Sequence, residues 1–332
     1  MIGHIFLVMN YENNLPDFAK YIIDLAVPCF FVVSGYLITA SAINNNLKTY
    51  FKKRIARIYP AYFLSFLIVP FILAPICYFI VYNGFDLLNY VSLSPSPIDY
   101  IIYGLPLYLG CPVIGDILIN LPYNYWNTSI WTLSFEFACY ILIALVIFLL
   151  NKLKKEKYTF VVVGLYVLFL VISFFYLRPR VPVQNSGFLT VMLTYGSNLF
   201  SIYLGGSIVY LVKDKIKFNI KYVILALSFS IIIMSILPYG WATEICAIPL
   251  IYIILYLAIV IKSPIFIKEN DISYGVYVFS WPIQTTLACF LLTNKFNCNP
   301  LVFFIISSFL VVGMSLLSWF LVEKPILNKV RS

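Results

Sequence analysis

Apolar stretches of about twenty residues, repeated along the chain, constrain this sequence more than any other feature. As a helix, a stretch of that length spans the ~30 Å hydrocarbon core of a bilayer. Long continuous stretches favour helices over the short alternating segments of a membrane β-barrel. The sequence therefore predicts an all-α polytopic membrane protein with about ten transmembrane helices, the first of them incomplete. The predicted segments cover residues 1–11 (in part), 21–42, 58–82, 128–150, 158–177, 188–212, 219–238, 240–262, 272–292 and 300–323.

The composition and the charge distribution agree with this class. Apolar residues make up 62% and charged residues 11% of the chain, against roughly 25% charged residues in soluble domains. These values exclude a soluble globular, disordered or fibrous protein. Of the 22 Lys and Arg residues, 18 fall on one side of the predicted spans. Because such residues collect in cytoplasmic loops, that side and the C-terminus are predicted to be cytoplasmic, and no nucleic-acid partner is expected.

Two segments do not fit a simple span. Residues 1–11 are too short to cross, so we expect them to be the outer end of a first helix whose inner half is missing from this sequence. Residues 98–119 are apolar but interrupted by proline and glycine, which predicts a re-entrant or surface-lying piece. No linker or repeat is visible, so residues 1–332 are interpreted as a single integral-membrane domain.

Two ionisable residues inside predicted spans are candidates for catalysis, because charges in a membrane are costly. His4 is the only histidine, and Glu136 lies in the segment WTLSFE. If the first helix ends near Glu12 and the other begins near Thr128, each lies eight residues, or ~12 Å, from the outer end of its helix. An acid–base pair requires such a common depth. The alternative for His4 is a structural or terminal histidine, and a lone carboxylate eight residues into a span needs a partner.

A cationic cluster precedes the second full span. Lys53, Arg54 and Arg57 lie in the segment KKRIARIYP, and Pro60 is expected to mark a helix start or a kink. The two arginines are three residues apart and share a helix face. Such a cluster can bind a phosphorylated ligand. The alternative is a stop-transfer anchor that contacts anionic lipid.

Small residues and aromatic residues mark two further regions. Ser34 and Gly35 in FFVVSGYLI allow a ligand arm, or simply another helix, to approach the backbone closely. The external segment 83–127 is rich in tyrosine and contains Trp126, which suits a carbohydrate surface or an interfacial aromatic belt. No metal site is expected.

Taken together, these segments resemble the membrane-bound acyltransferase 3 family, the surface-polysaccharide O-acyltransferases. The matching pieces are His4, FFVVSGYLI at 30–38, FKKRIARIYPAYFL at 51–64, WTLSFEFACY at 131–140, DISYGVYVFSWPIQ at 271–284 and WFLVEKP at 319–325. The resemblance implies a ten-helix core in the bacterial inner membrane. It also implies transfer of an acyl group, by default acetyl, from cytoplasmic acyl-CoA to a hydroxyl of a surface or lipid-linked polysaccharide.

The resemblance also implies roles for individual residues. His4 matches a histidine required for activity, although the basic residue that precedes it in the family would fall before Met1. Glu136 matches an essential carboxylate. Arg54 and Arg57 match a segment thought to meet the phosphates of coenzyme A. Where many members carry a histidine before the W-P pair, this chain has Ser280.

The predicted reaction uses His4 as the base for a sugar hydroxyl that attacks the thioester, while Glu136 orients or stabilises the imidazole. Lys53, Arg54 and Arg57 would hold acetyl-CoA, and Ser34-Gly35 would flank its thioester arm. A covalent acyl-histidine relay remains an alternative mechanism. A transporter or flippase of lipid-linked sugars, a polysaccharide polymerase and an inactive truncated relative remain alternative functions. The sequence leaves the acyl group, the acceptor and the oligomeric state open.

Overall fold

The computed structural model describes residues 2–9, 23, 25–107, 111–150, 155–176, 188–237, 239–262 and 264–331. These residues form helices and turns, with no strand among them. The helices are α1 (Ile2–Val8), α2 (Ala26–Asn44), α3 (Leu47–Ile68), α4 (Ala74–Tyr82), α5 (Leu87–Val91), α6 (Pro97–Gly104), α7 (Trp131–Leu150), α8 (Lys155–Tyr176), α9 (Phe188–Val191), α10 (Ser197–Leu211), α11 (Ile220–Ile236), α12 (Tyr239–Ile245), α13 (Ala247–Val260), α14 (Ile265–Glu269), α15 (Ser273–Thr293), α16 (Pro300–Ser318) and α17 (Lys324–Arg331).

Six helices within this part of the chain are long and apolar enough to cross a membrane. They are Ala26–Asn44, Leu47–Tyr82, Thr128–Leu150, Lys157–Phe175, Ser273–Thr293 and Pro300–Val330. The prediction of an all-helical multi-pass protein is confirmed, whereas the count of about ten spans stays a prediction. The remaining predicted segments form shorter or interrupted helices. A π turn at Met192–Gly196 separates α9 from α10, and α12 ends before α13 begins.

The helix that carries the cationic cluster begins earlier than the sequence pattern predicts. The stretch Leu47–Tyr82 contains 36 residues, or ~54 Å at 1.5 Å per residue, which exceeds the ~30 Å bilayer core. Pro60 lies inside α3 rather than at its start. The two arginines therefore lie within one continuous helix, as their shared face requires. α3 passes into α4 through a π turn at Val69–Leu73.

Residues 98–119 do not form one continuous helix. α6 starts with a capping box in which the Ser96 hydroxyl accepts a hydrogen bond from the Asp99 backbone N–H at 3.1 Å. Residues 111–119 form a bend and turns without a helix. Residues 108–110 of this segment, and residues 1, 10 and 11 of the first predicted segment, lie outside the described part of the chain. A re-entrant course for this segment therefore stays a prediction.

The chain divides into two compact units, each built around one central helix. The first unit comprises residues 1–24, 51–134 and 264–332. Its central helix is α15, which packs against α1, α4 and α16. Polar and small side chains of α15, including Ser280, Gln284 and Thr285, are buried in these contacts.

The second unit comprises residues 25–50 and 135–263. Its central helix is α10, which packs against α2, α8 and α13. The contact between α2 and α10 depends on glycine, because a Cβ atom on Gly206 would lie 2.1 Å from the Val32 carbonyl oxygen. Close helix approach of this kind is the usual role of small residues in membrane proteins.

Candidate functional site

His4 packs against the middle of α15 in the first unit. Its Nδ1 lies 3.2 Å from the hydroxyl oxygen of Ser280. The imidazole also meets the ring of Trp281 edge-on, with a centroid separation of 5.0 Å and an interplanar angle of 64°. The side chains of Ile5 and Val8 on the same helix are buried, and α1 packs against α15. This packing holds His4 against α15. A polar and an aromatic side chain thus define the orientation of the histidine.

A proline in α15 explains how the loop before α7 is attached beside this histidine. Pro282 has no N–H, so the carbonyl of Val278, four residues earlier, lacks its helical donor. Asn127 supplies the missing donor, since its Nδ2 lies 3.1 Å from the Val278 oxygen. One turn away, the indole nitrogen of Trp281 donates to the Tyr125 carbonyl at 2.9 Å. The loop is therefore bound to α15 at the level of His4.

Several aromatic residues of segment 83–127 are buried in the first unit. Trp126 is fully buried, and its backbone N–H donates to the Pro112 carbonyl at 2.9 Å. Tyr90 and Tyr100 are also buried, whereas Tyr103 is exposed. The interpretation of Trp126 as part of an exposed carbohydrate or interfacial surface is therefore wrong, because the ring lies in the core of the first unit.

Glu136 lies on α7 in the second unit and is buried, with 3% of its surface exposed. The hydroxyl of Tyr140 donates a hydrogen bond to its Oε1. Tyr140 is four residues further along the same helix, so the pair faces one side of α7. This contact was predictable from the sequence, because side chains four residues apart are neighbours on a helix. A buried carboxylate held by a phenol can stabilise positive charge.

Arg57 is already paired with acidic groups of the first unit. Its Nη2 lies 2.7 Å from the carboxylate of Asp271, and its Nη1 lies 3.9 Å from the buried carboxylate of Glu323. The guanidinium also lies 5.7 Å from the ring centroid of Tyr274. Glu323 in turn accepts a hydrogen bond from the Ser318 hydroxyl at 2.8 Å. Arg57 thus connects α3 to the start of α15 and to the π turn Trp319–Glu323.

Arg54 differs from Arg57 in its surroundings, although both lie on the same face of α3. Its Nε is buried, and no group among the described residues accepts a hydrogen bond from it. Lys53 is half-buried beside it. The sequence alone did not distinguish the two arginines. In the structure Arg57 is paired with two carboxylates, whereas the Arg54 Nε–H has no acceptor among the described residues.

Replacing Arg57 should destabilise the protein. In Arg57→Gln the carboxylate of Glu323, with 1% of its surface exposed, loses its cation, at a cost of about 1–3 kcal/mol. We expect a lower thermal unfolding midpoint for the purified protein in detergent. Arg57→Gln combined with Glu323→Gln should recover part of the loss. Asp271→Asn should have little effect, because that side chain is 52% exposed. An Arg57→Gln protein as stable as the wild type would contradict this assignment.

Ser34 and Gly35 lie on α2 in the second unit, against α10. The hydroxyl of Ser207 donates to the Gly35 carbonyl at 3.3 Å. A Cβ atom on Gly35 would lie 1.9 Å from the Tyr203 carbonyl oxygen. Gly35 is therefore engaged in helix packing. Ser34 is buried, and its hydroxyl makes no hydrogen bond with any group in the described part of the chain.

Glu244 is a further buried carboxylate, which was not among the residues predicted from the sequence. It lies on α12, and its Oε1 accepts hydrogen bonds from Ser173 at 2.7 Å and from Asn198 at 2.6 Å. Its position inside the apolar stretch 240–262 was the available signal, by the same argument that singles out Glu136. These bonds connect α12 to α8 and α10 within the second unit.

Comparison with known proteins decides the family. Residues 1–320 match the acyltransferase 3 family model, which is described as an acyltransferase domain. The chain belongs to the acyltransferase 3 family. An O-acetyl transferase of Shigella phage Sf6 is 26% identical to it over 311 residues, which cover 92% of this chain and 85% of the phage protein. An uncharacterized protein of Haemophilus influenzae is 26% identical over 158 residues, 43% of this chain and 57% of that protein. No solved structure matches.

The family assignment confirms the resemblance and identifies this acyltransferase 3 protein as a membrane O-acyltransferase. The structure brings His4 to Ser280 and Trp281, Glu136 to Tyr140, and Arg57 to Asp271 and Glu323. His4 lies in the first unit and Glu136 in the second. Their common participation in one reaction stays a prediction.

Proposed function

We propose that the protein transfers an acetyl group from acetyl-CoA, bound at the cytoplasmic face of the bacterial inner membrane, to a hydroxyl of a polysaccharide or lipid-linked sugar. The O-acetyl transferase of phage Sf6, similar over 92% of this chain, is the observation that carries the proposal. It supports acetyl as the acyl group. The charge distribution of the predicted loops supports a cytoplasmic donor side and C-terminus. Resemblance to polysaccharide O-acyltransferases supports the acceptor.

Arg54 is proposed as the main ligand of the coenzyme A phosphates. A phosphate needs donors that the protein does not already use. Arg57 is compensated by Asp271 and Glu323, whereas the buried Nε of Arg54 has no acceptor among the described residues. Lys53, beside Arg54, would add a second positive charge. In this proposal Arg57 holds α3 in place rather than contacting the donor.

The proposed reaction is nucleophilic acyl substitution. The sugar oxygen attacks the thioester carbonyl while His4 accepts the hydroxyl proton. The tetrahedral intermediate then expels the coenzyme A thiolate as the C–S bond breaks, and the thiolate takes up the proton that His4 had accepted. The products are an O-acetyl ester and coenzyme A. Glu136 is proposed as the essential carboxylate of this reaction, and Ser34 is proposed to line the path of the thioester arm.

The experiment uses the purified full-length protein in proteoliposomes with acetyl-CoA labelled in the acetyl group. The acceptor is surface polysaccharide that mild alkali has freed of its own acetyl esters. We expect label that remains with the polysaccharide and is released by a second alkali treatment, together with free coenzyme A in equal amount. Coenzyme A release without label on the polysaccharide would overturn the proposed acceptor, and no release would overturn the proposed donor.

Arg54→Gln should weaken donor binding without unfolding the protein. A charge-assisted hydrogen bond contributes roughly 1.5–3 kcal/mol, so we expect the KM for acetyl-CoA to rise at least about tenfold at nearly constant kcat. With S-acetylpantetheine, which lacks the nucleotide phosphates, the variant and the wild type should behave alike. Lys48→Gln, an exposed charge loss on the same helix, is the control. An unchanged KM for acetyl-CoA would contradict the role of Arg54.

A further inference from the structure

Ser280 lies at the point where α15 meets His4. The side chain is buried, with 1% of its surface exposed. Its hydroxyl oxygen lies 3.2 Å from the Nδ1 of His4 and 3.2 Å from the backbone carbonyl oxygen of Tyr277. The hydroxyl therefore has two polar neighbours at hydrogen-bond distance.

The chemistry of these neighbours fixes the direction of both bonds. A serine hydroxyl carries one hydrogen and two lone pairs, and a carbonyl oxygen can only accept. Ser280 satisfies both contacts when it donates to Tyr277 and accepts from His4. The neutral imidazole then carries its hydrogen on Nδ1, and its lone pair is on Nε2.

We propose that Ser280 is a positioning residue that holds neutral His4 as the Nδ1–H tautomer. The inference rests on the proposed function, in which His4 accepts a proton. It assigns that task to Nε2, the nitrogen that does not face Ser280. The ring of Trp281 meets the imidazole at 64°. This contact fixes the orientation of the His4 ring.

The first test determines by NMR which imidazole nitrogen of His4 carries the hydrogen, and it requires no measurement of enzyme activity. The chain contains a single histidine, so labelling the full-length protein with ¹⁵N-histidine gives one imidazole signal pair. At alkaline pH we expect the one-bond ¹⁵N–¹H coupling on Nδ1 in the wild type. In Ser280→Ala, which removes the acceptor, we expect a substantial share of the hydrogen on Nε2. A wild-type hydrogen on Nε2, or the same tautomer in both proteins, would overturn the proposal.

The second test measures acetyl transfer. Ser280→Ala should lower kcat about tenfold, leave the KM for acetyl-CoA unchanged and alter the pH profile of kcat. Ser280→Thr, which keeps the hydroxyl, should restore most of the rate and the wild-type profile. Ser307→Ala removes an equally buried serine hydroxyl from α16 of the same unit. This variant should keep the wild-type kcat and the wild-type pH profile.

The two proposals fail in different ways. If His4→Ala is inactive while Ser280→Ala keeps wild-type kcat and pH profile, the role of Ser280 is wrong and the proposed function stands. If the wild type transfers no acetyl group, the proposed function is wrong, and the ¹⁵N measurement still decides which nitrogen of His4 carries the hydrogen. A loss of rate in Ser307→Ala equal to that in Ser280→Ala would assign the effect to general packing and overturn the positioning role.

Discussion

His4→Ala is expected to reduce acetyl transfer at least about 100-fold, because a positioned general base contributes roughly 10²–10⁴-fold to a rate. The loss should be in kcat, since His4 has no role in the proposed binding of coenzyme A. The measurement is the rate of base-labile label on the polysaccharide in proteoliposomes. The thermal unfolding midpoint should fall little, because His4 is only half-buried.

Two further variants make this result specific. His4→Gln keeps a side-chain amide that can donate to Ser280 but cannot take up a proton at neutral pH, so it should be as inactive as His4→Ala. Phe6→Ala, a truncation of a half-buried neighbour on α1, should retain most of the rate. More than a tenth of the wild-type rate in His4→Gln would exclude His4 as the base and as a carrier of the acyl group.

Gly35→Ala is expected to prevent normal assembly of the second unit. The added methyl group would lie 1.9 Å from the Tyr203 carbonyl oxygen, and backbone cannot yield as a flexible side chain does. Overpacking typically lowers the free energy of unfolding by about 1–3 kcal/mol. Here the methyl group would force α2 away from α10 where the two helices pack. We expect a large fall in thermal stability in detergent, or loss of monodisperse protein.

Gly164→Ala is the matched control for this substitution. Gly164 lies in α8 of the same unit, and nothing lies within 4 Å of the position of its added Cβ. Since alanine favours a helix by up to about 1 kcal/mol over glycine, this variant should be as stable as the wild type or more so. If Gly35→Ala kept full stability and lost only donor binding, Gly35 would line the thioester arm instead of the helix contact.

Local chemistry was predictable from the sequence where the partners are close along the chain. The apolar stretches predicted the six long helices, and the three-residue spacing of Arg54 and Arg57 predicted a shared helix face. Tyr140 could have been identified as the partner of Glu136 by its distance of four residues. Each inference depends on the helical repeat alone, which acts within a few residues.

The remaining contacts depend on packing between distant segments. Arg57 meets Asp271 across 214 residues of sequence, and His4 meets Ser280 across 276. No periodicity relates such positions, so the sequence indicated a cationic cluster without its counter-charges. The start of the cationic helix was also misplaced, because Pro60 was interpreted as a helix start or a kink, whereas it lies inside α3. Within a long apolar helix a proline is tolerated where other groups satisfy the free carbonyl.

Helix α15 has a consequence for how this protein can vary. Its first turn lies beside Arg57, and Ser280, two turns later, contacts His4. The number of residues from Tyr274 to Ser280 therefore fixes both the distance and the angle between these two contacts. One inserted residue would turn everything after it by ~100° and advance it by 1.5 Å, so that the serine would face away from the imidazole. A substitution in this stretch leaves the spacing between the two contacts unchanged, whereas the insertion or deletion of one residue would break one of them.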